Sequence, residues 1–289
     1  MKSARRAEWL VTVPSFGWLV VFFLIPTLII FAFAFKPSDP FGGVGEGWTT
    51  ATIAAIADPQ YYAIIWRTVW ISLLTTVICL VLATPAGYAI ARANPKARAR
   101  LLLLVIVPFW TSFLIRIFAW KVLLHPEGAL KQGLVRLGVL NEQTTLLYTA
   151  GAVLLVMVYT FLPFAILPIY AAAEKFDFRL LEAAQDLGAG RLRAFFEIFL
   201  PGIRRGLVTA FLVVFIPALG SYVIPDLVGG PNGEMLGNKI AQRVFVDRNL
   251  PHASALSVLL ILAVLLPMAA VLVTQARQRR MPTIFEEDA

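Results

Sequence analysis

Six long apolar stretches, at roughly 13–35, 67–91, 101–124, 145–171, 206–225 and 254–275, alternate with shorter polar segments along the chain. Each is near the ~20 residues a helix needs to cross the hydrocarbon core of a bilayer, so the pattern predicts six transmembrane helices. The first runs uncharged from Val13 to Phe35 with no small-residue cleavage site behind it. It reads as a retained span rather than a signal peptide. The third carries Arg116 and Lys121 near its end, where long basic side chains snorkel to the interface. Pro217, Gly220 and Pro225 interrupt the fifth, a break tolerated where freed backbone groups line a cavity or meet another helix. Of the connections, 36–66 is long and rich in Gly and Pro, and its WTTATIAAIADPQYY predicts an interfacial helix. Residues 226–253 contain DLVGGPNGEMLGN, a glycine-rich turn cluster.

Composition fixes the class. Hydrophobic residues make up 59% of the 289 and charged residues only 15%, against about a quarter in soluble domains. With a mean hydropathy of +0.79, the chain is expected to be an all-α polytopic membrane protein, one transmembrane domain over 1–289. The net charge of +8 then reports orientation rather than nucleic-acid binding. With the N-terminus inside, Lys2, Arg5, Arg6, Arg92, Lys96, Arg98, Arg100, Lys175, Arg179, Arg191, Arg193, Arg204, Arg205, Arg277, Arg279 and Arg280 fall on the cytoplasmic side. Those sixteen outnumber the nine on the other side, so both termini are expected in the cytoplasm. Cys79 is single and lies in an apolar run, while His125 and His252 are far apart, so no metal-ligand spacing arises. No phosphate-binding loop is present: GGVGEGWTT lacks the lysine.

Between the fourth and fifth stretches lies an amphipathic insertion, 177–203, containing LLEAAQDLGAGRLRAFFEIFLPGI. Asp177 is placed to cap a helix whose apolar face would be Leu180, Leu181, Ala184 and Leu187. Gly188 sits where a left-handed helix terminus is wanted, and Gly190 closes the turn. Arg191 to Phe199 predicts a second short helix with Phe195, Phe196 and Phe199 as its stripe, ended by Pro201. Small Ala183 and Ala184 let the first helix lie close to another surface. Glu182 and Asp186 offer carboxylates to basic groups. A helix resting on the bilayer is the competing reading, and it leaves the spacing of these residues unexplained.

That spacing is Glu182-Ala183-Ala184, three residues, Gly188, nine residues, then Ile198-x-Leu200-Pro201. It resembles the cytoplasmic EAA loop of permease subunits in bacterial ATP-binding-cassette importers, at every defined position. The resemblance implies a type I importer permease fold, in which 177–203 is a coupling loop that docks on an ATPase through Glu182, Ala183, Ala184, Asp186, Gly188 and Arg191. It extends over roughly 60–275. PFWTSFLIRIFAW, LLYTAGAVLLVMVYTFLPFAILPIYAAAEKFD and FIPALGSYVIPDLVGGPNGEMLGNKI are similar to the spermidine/putrescine branch. The implied partners are a second homologous permease subunit, a dimer of ATPase subunits that binds ATP and Mg, a periplasmic solute-binding protein and the lipid bilayer. No nucleic acid and no cofactor on this chain are expected.

For a cationic solute the spans contain no acidic residue; the nearest are Asp226 and Glu234. Aromatic faces attract ammonium groups by about 0.5–2 kcal/mol. Trp110, Phe113, Tyr159 and Tyr222 are therefore candidate path residues, together with Asp226, and Trp120 and Phe161 are further aromatics; taken singly, each aromatic reads first as an interfacial anchor or a packing residue. Tyr222 and Asp226 mark a candidate outer gate. Importers of amino acids, sulfate, ferric iron or thiamine are alternatives. So is a stand-alone secondary transporter, although no Lys, His or acid at mid-membrane supports an ion relay. The lack of a His, Cys or carboxylate cluster at membrane depth argues against an enzyme.

Overall fold

The computed structural model describes residues 12–279. All regular structure among them is helical, apart from one isolated bridge between Ser38 and Val44. The fold class is all-α, as the apolar pattern predicts. Lys2, Arg5, Arg6 and Arg280 lie outside the described residues, as do the side chains of Arg277 and Arg279.

The described residues divide into two compact units, 12–63 with 239–279, and 64–238. In the first, α1 (Thr12–Phe33) packs on α12 (Leu250–Arg279). The connection after α1 is tied down locally. Thr49 N–H donates to the Phe35 carbonyl at 2.8 Å, and the Thr52 hydroxyl to the Lys36 carbonyl at 2.7 Å. The expected interfacial helix is reduced to one turn, Ala51–Ala54, and a 3-10 turn, Ala55–Ala57. Asp58 then takes extended backbone, and Pro59 opens the next long helix, so Tyr61 and Tyr62 belong to that helix instead.

The larger unit is built around α6 (Ala150–Glu174), capped by the Thr149 hydroxyl, which accepts from Ala152 N–H at 3.1 Å. Its Val153, Val156, Met157, Ala165, Ile169 and Ala173 are fully buried. Two neighbours lie close to α6 because glycine leaves room for them. A Cβ on Gly87 of α2 (Pro59–Arg92) would sit 2.8 Å from Ile169 Cγ2. A Cβ on Gly206 of α9 (Arg204–Leu219) would collide with the Ala172 Cβ. Small residues at such crossings are what helix pairs in lipid rely on.

Helices α1, α2 and α6 are each long and apolar enough to cross a membrane. Two predicted spans are broken, not continuous. The stretch 101–124 divides into α3 (Pro95–Ile106), a 3-10 turn at Val107–Trp110, and α4 (Phe113–Leu124), followed by α5 (Ala129–Arg136). The two halves are bent by 89°. Pro108 supplies no amide proton there, and Thr111 and Ser112 are extended, so the hydrogen-bond ladder stops although the apolar run continues. The stretch 206–225 ends its helix at Leu219. Gly220–Tyr222 break it, and α10 (Val223–Val228) follows. Pro217 and Pro225 lie inside helices, so Gly220 is the residue at the break.

Candidate functional site

The insertion 177–203 folds as two helices around a sharp reversal. The Asp177 carboxylate accepts from both the backbone N–H and the Nε of Arg179 at 3.1 Å, which starts α7 (Arg179–Asp186). Those hydrogen bonds hold the exposed Asp177 carboxyl below its ordinary pKa. At the other end Gly188 has φ +91°, Ala189 N–H donates to the Ala184 carbonyl, and Gly188 N–H to the Gln185 carbonyl, both at 2.9 Å. That pair of bonds is a Schellman closure, and the positive φ is why the position takes glycine.

Helix α8 (Arg191–Gly202) then runs back against α7. It contains a π turn at Phe195–Phe199 and does not stop at Pro201. Proline is accepted early in a helical turn, and the chain bends by 71° only after Gly202, before α9. The buried face of α7 is Leu181 and Ala184. Leu180 and Leu187 do not join it: Leu180 projects about 100° round the helix from Leu181, and Leu187 lies where the backbone turns. In α8, Phe199 is fully buried while Phe196 faces out.

The loop thus presents Glu182, Ala183, Asp186, Gly188 and Arg191 outward, and Ala184 inward. Around the reversal stand Leu187 and Leu192, 90% and 76% exposed. Leu187, expected on the inner face of the first helix, stands outside it instead; Leu192 is not singled out by the sequence, although it directly follows the Gly-x-Gly turn and Arg191. Both leave an apolar side chain uncovered at the tip of the loop.

The inner side is gripped by rings. Tyr88 on α2 meets Phe178, Phe195 and Phe199 edge-on at 5.7, 5.5 and 4.9 Å between centroids. Phe176 adds contacts to Phe178 and Phe199 at 5.5 and 5.3 Å. The Arg92 guanidinium lies 5.7 Å from both the Tyr88 and Phe178 rings. Beside this cluster Arg98 donates to Glu174 at 2.8 Å and to the Ala91 carbonyl. Edge-on aromatic pairs contribute about 0.5–1.5 kcal/mol each beyond area burial, so the loop is firmly fixed to the ends of α2 and α6. The Phe-x-Phe of 176–178 and the i, i+4 pair of 195 and 199 carry this in sequence, but Tyr88 gives no local sign of it.

The candidate path residues are spread over three places. Trp110, 77% exposed, and Phe113 flank the bend between α3 and α4. Arg116 stands on α4 over the Phe109 ring at 5.6 Å. Tyr159 on α6 meets Trp120 edge-on at 5.4 Å, and Phe161 is buried in the same helix. Tyr222 lies in the break after α9, and Asp226 is exposed on α10, which packs against α4 and α6. No group of three or more His, Cys, Asp or Glu able to hold a metal occurs among the described residues.

Residues 83–280 match the family described as binding-protein-dependent transport system inner membrane component. The chain belongs to this family. Among relatives of this inner membrane component is the spermidine/putrescine transport system permease protein PotB of Haemophilus influenzae. It is 39% identical over 84% of this chain and 85% of its own length. PotB of Escherichia coli K12 is 37% identical over 84% and 89%. A chain of a bacterial ABC transporter involved in import of the acidic polysaccharide alginate shares the fold. Its TM-score is 0.73 at 18% identity, covering 96% of this chain and 98% of that one. The permease is thus a transport component of the inner membrane.

Proposed function

We propose that this chain is the permease subunit of an ATP-driven polyamine importer, contributing part of the path for spermidine or putrescine. The observation that carries the coupling reading is the EAA spacing folded into a fixed reversal, with Leu187 and Leu192 exposed and the Tyr88 ring cluster holding the buried side. The loop 177–203 is cytoplasmic, both termini are cytoplasmic, and Glu182, Ala183, Asp186, Gly188 and Arg191 face a separate ATPase. Ala184 serves by packing the loop on itself. The spans lie between 13–35 and 254–275, with 60–275 as the core.

The chain itself hydrolyses nothing; ATP and Mg belong to the ATPase pair. A second homologous permease completes the path, and a periplasmic protein delivers solute. Identity of 36–39% to PotB permeases favours polyamines over the other solutes of related importers. Aromatic faces along the path suit a passing polyamine, because they attract ammonium without holding it as tightly as a buried carboxylate.

The test is putrescine uptake by membranes containing the assembled complex. Asp226→Asn and Tyr222→Ala are expected to lower uptake by about fivefold or more, the scale of one lost cation contact. Wild-type uptake in both would remove the break after α9 from the path. The polyamine assignment is checked by which solutes the cognate periplasmic protein binds in calorimetry. A sulfate- or amino-acid-specific protein would overturn it.

A further inference from the structure

Both ends of α2 in the larger unit are fastened to segments that carry function. At the inner end Tyr88 and Arg92 grip the coupling loop, as described. At the outer end two neighbouring residues grip the loop that follows α10. Arg67 Nη1 donates to the Pro231 carbonyl at 3.1 Å and to the Glu234 carbonyl at 3.3 Å. The buried Thr68 hydroxyl accepts from Leu236 N–H at 2.8 Å while donating to the Ile64 carbonyl of its own helix.

The gripped loop is itself rigid. Met235 and Leu236 are buried. Asn238 accepts from Met235 N–H at 3.1 Å and donates through Nδ2 to the Tyr222 carbonyl at 2.9 Å. The same Tyr222 carbonyl accepts from Asp226 N–H at 3.0 Å. A displacement of 231–236 therefore reaches the break that holds Tyr222 and the helix that holds Asp226.

Between Arg67 and Tyr88 the helix is unbroken, a span of about 31 Å at 1.5 Å per residue, close to the hydrocarbon thickness. Pro85 removes one ladder bond, yet the helix continues to Arg92, with the Thr84 hydroxyl donating to the Leu80 carbonyl at 2.7 Å. An unbroken helix clamped at both ends transmits movement as one body, which is the requirement for carrying a change between distant sites.

We infer that Arg67 and Thr68 are positioning residues for transport: through them α2 moves the outer loop 231–236, and with it Tyr222 and Asp226, when the coupling loop moves. The inference rests on the coupling reading of 177–203 given above.

The experiment uses the complete complex, with second permease, ATPase pair and binding protein, in proteoliposomes. Arg67→Ala, Arg67→Lys and Thr68→Val are compared with wild type for assembly, basal ATP hydrolysis and putrescine uptake. The alanine and valine variants are expected to assemble and hydrolyse ATP at the basal rate. Uptake is expected to fall about tenfold, the scale of a lost coupling interaction, so that more ATP is hydrolysed per solute moved. Arg67→Lys restores part of the uptake, because one cation still reaches the carbonyls.

Unchanged uptake, a fall in uptake and hydrolysis in equal proportion, or failure of both Arg67→Ala and Thr68→Val to assemble would overturn the inference. The last result would make the clamp purely structural. If only Arg67→Ala fails to assemble, Thr68→Val decides, since it keeps side-chain volume and removes only the hydroxyl. A Gly188→Val control separates the two ideas. Normal uptake in that control sinks the coupling reading, whereas its failure beside normal Arg67 and Thr68 variants sinks this inference alone.

Discussion

Gly206→Val will strip the membrane of correctly assembled protein. The glycine is buried on α9 where that helix crosses α6. Any Cβ there collides with the Ala172 Cβ and comes within 3.0 Å of the Pro168 carbonyl oxygen. Neither neighbour is the movable tip of a long side chain: one is a methyl fixed to the backbone and the other is backbone. Overpacking typically costs about 1–3 kcal/mol, and a branched residue against an unyielding helix lies at the upper end or beyond. Stabilities of folded domains are only about 5–15 kcal/mol, so the loss is a large share. The check is monodisperse yield and thermal unfolding of the purified complex. Gly133→Ala is the control, because a Cβ at Gly133 on α5 meets nothing within 4 Å. The control should melt at the wild-type temperature or above, since alanine favours helix by about 1 kcal/mol over glycine. A Gly206→Val complex with wild-type yield and melting temperature would contradict the packing described here.

Gly188 gives the second large effect, by a different cause. Nothing lies within 4 Å of a Cβ built there, so only the backbone resists substitution. A left-handed conformation costs an ordinary residue about 1–2 kcal/mol, less for asparagine, more for a β-branched side chain. The loop needs that conformation to close α7 and to hold Leu187 and Leu192 beside Glu182 and Asp186. Uptake should therefore fall in the order Gly188, Asn, Ala, Val, with valine about tenfold or more below wild type. Membrane insertion should be unaffected, because the residue is exposed and outside the spans. The measurement is uptake together with the amount of ATPase that co-purifies. Equal activity across the series would mean that the reversal has no role in docking.

Much of this was visible in the residues. The uncharged runs announced helices in lipid, and a glycine directly after LLEAAQDL announced the left-handed reversal at Gly188. What could not be seen depended on contacts between distant segments. The bend between α3 and α4 lies inside an unbroken apolar run, where hydropathy is blind to the missing amide of Pro108 and the extended Thr111 and Ser112. Leu180 and Leu187 look apolar enough for the inner face of α7, yet helical geometry gives that face to Leu181 and Ala184. DLVGGPNGEMLGN reads only as a glycine-rich turn cluster, and nothing in it shows that Met235 and Leu236 are buried or that the loop is bolted to Arg67 and Thr68. Tyr88 is one aromatic among many in a span; only the fold brings it against three phenylalanines from the insertion.

We propose a gate driven from outside itself, through a loop held at Gly188 and Tyr88. The most direct measurement is radiolabelled putrescine uptake into proteoliposomes that contain either the purified chain alone or the chain with its second permease, ATPase pair and binding protein. Accumulation against a gradient is expected only in the complete set, and only with ATP on the side of the ATPase. Concentrative uptake by the chain alone would contradict it.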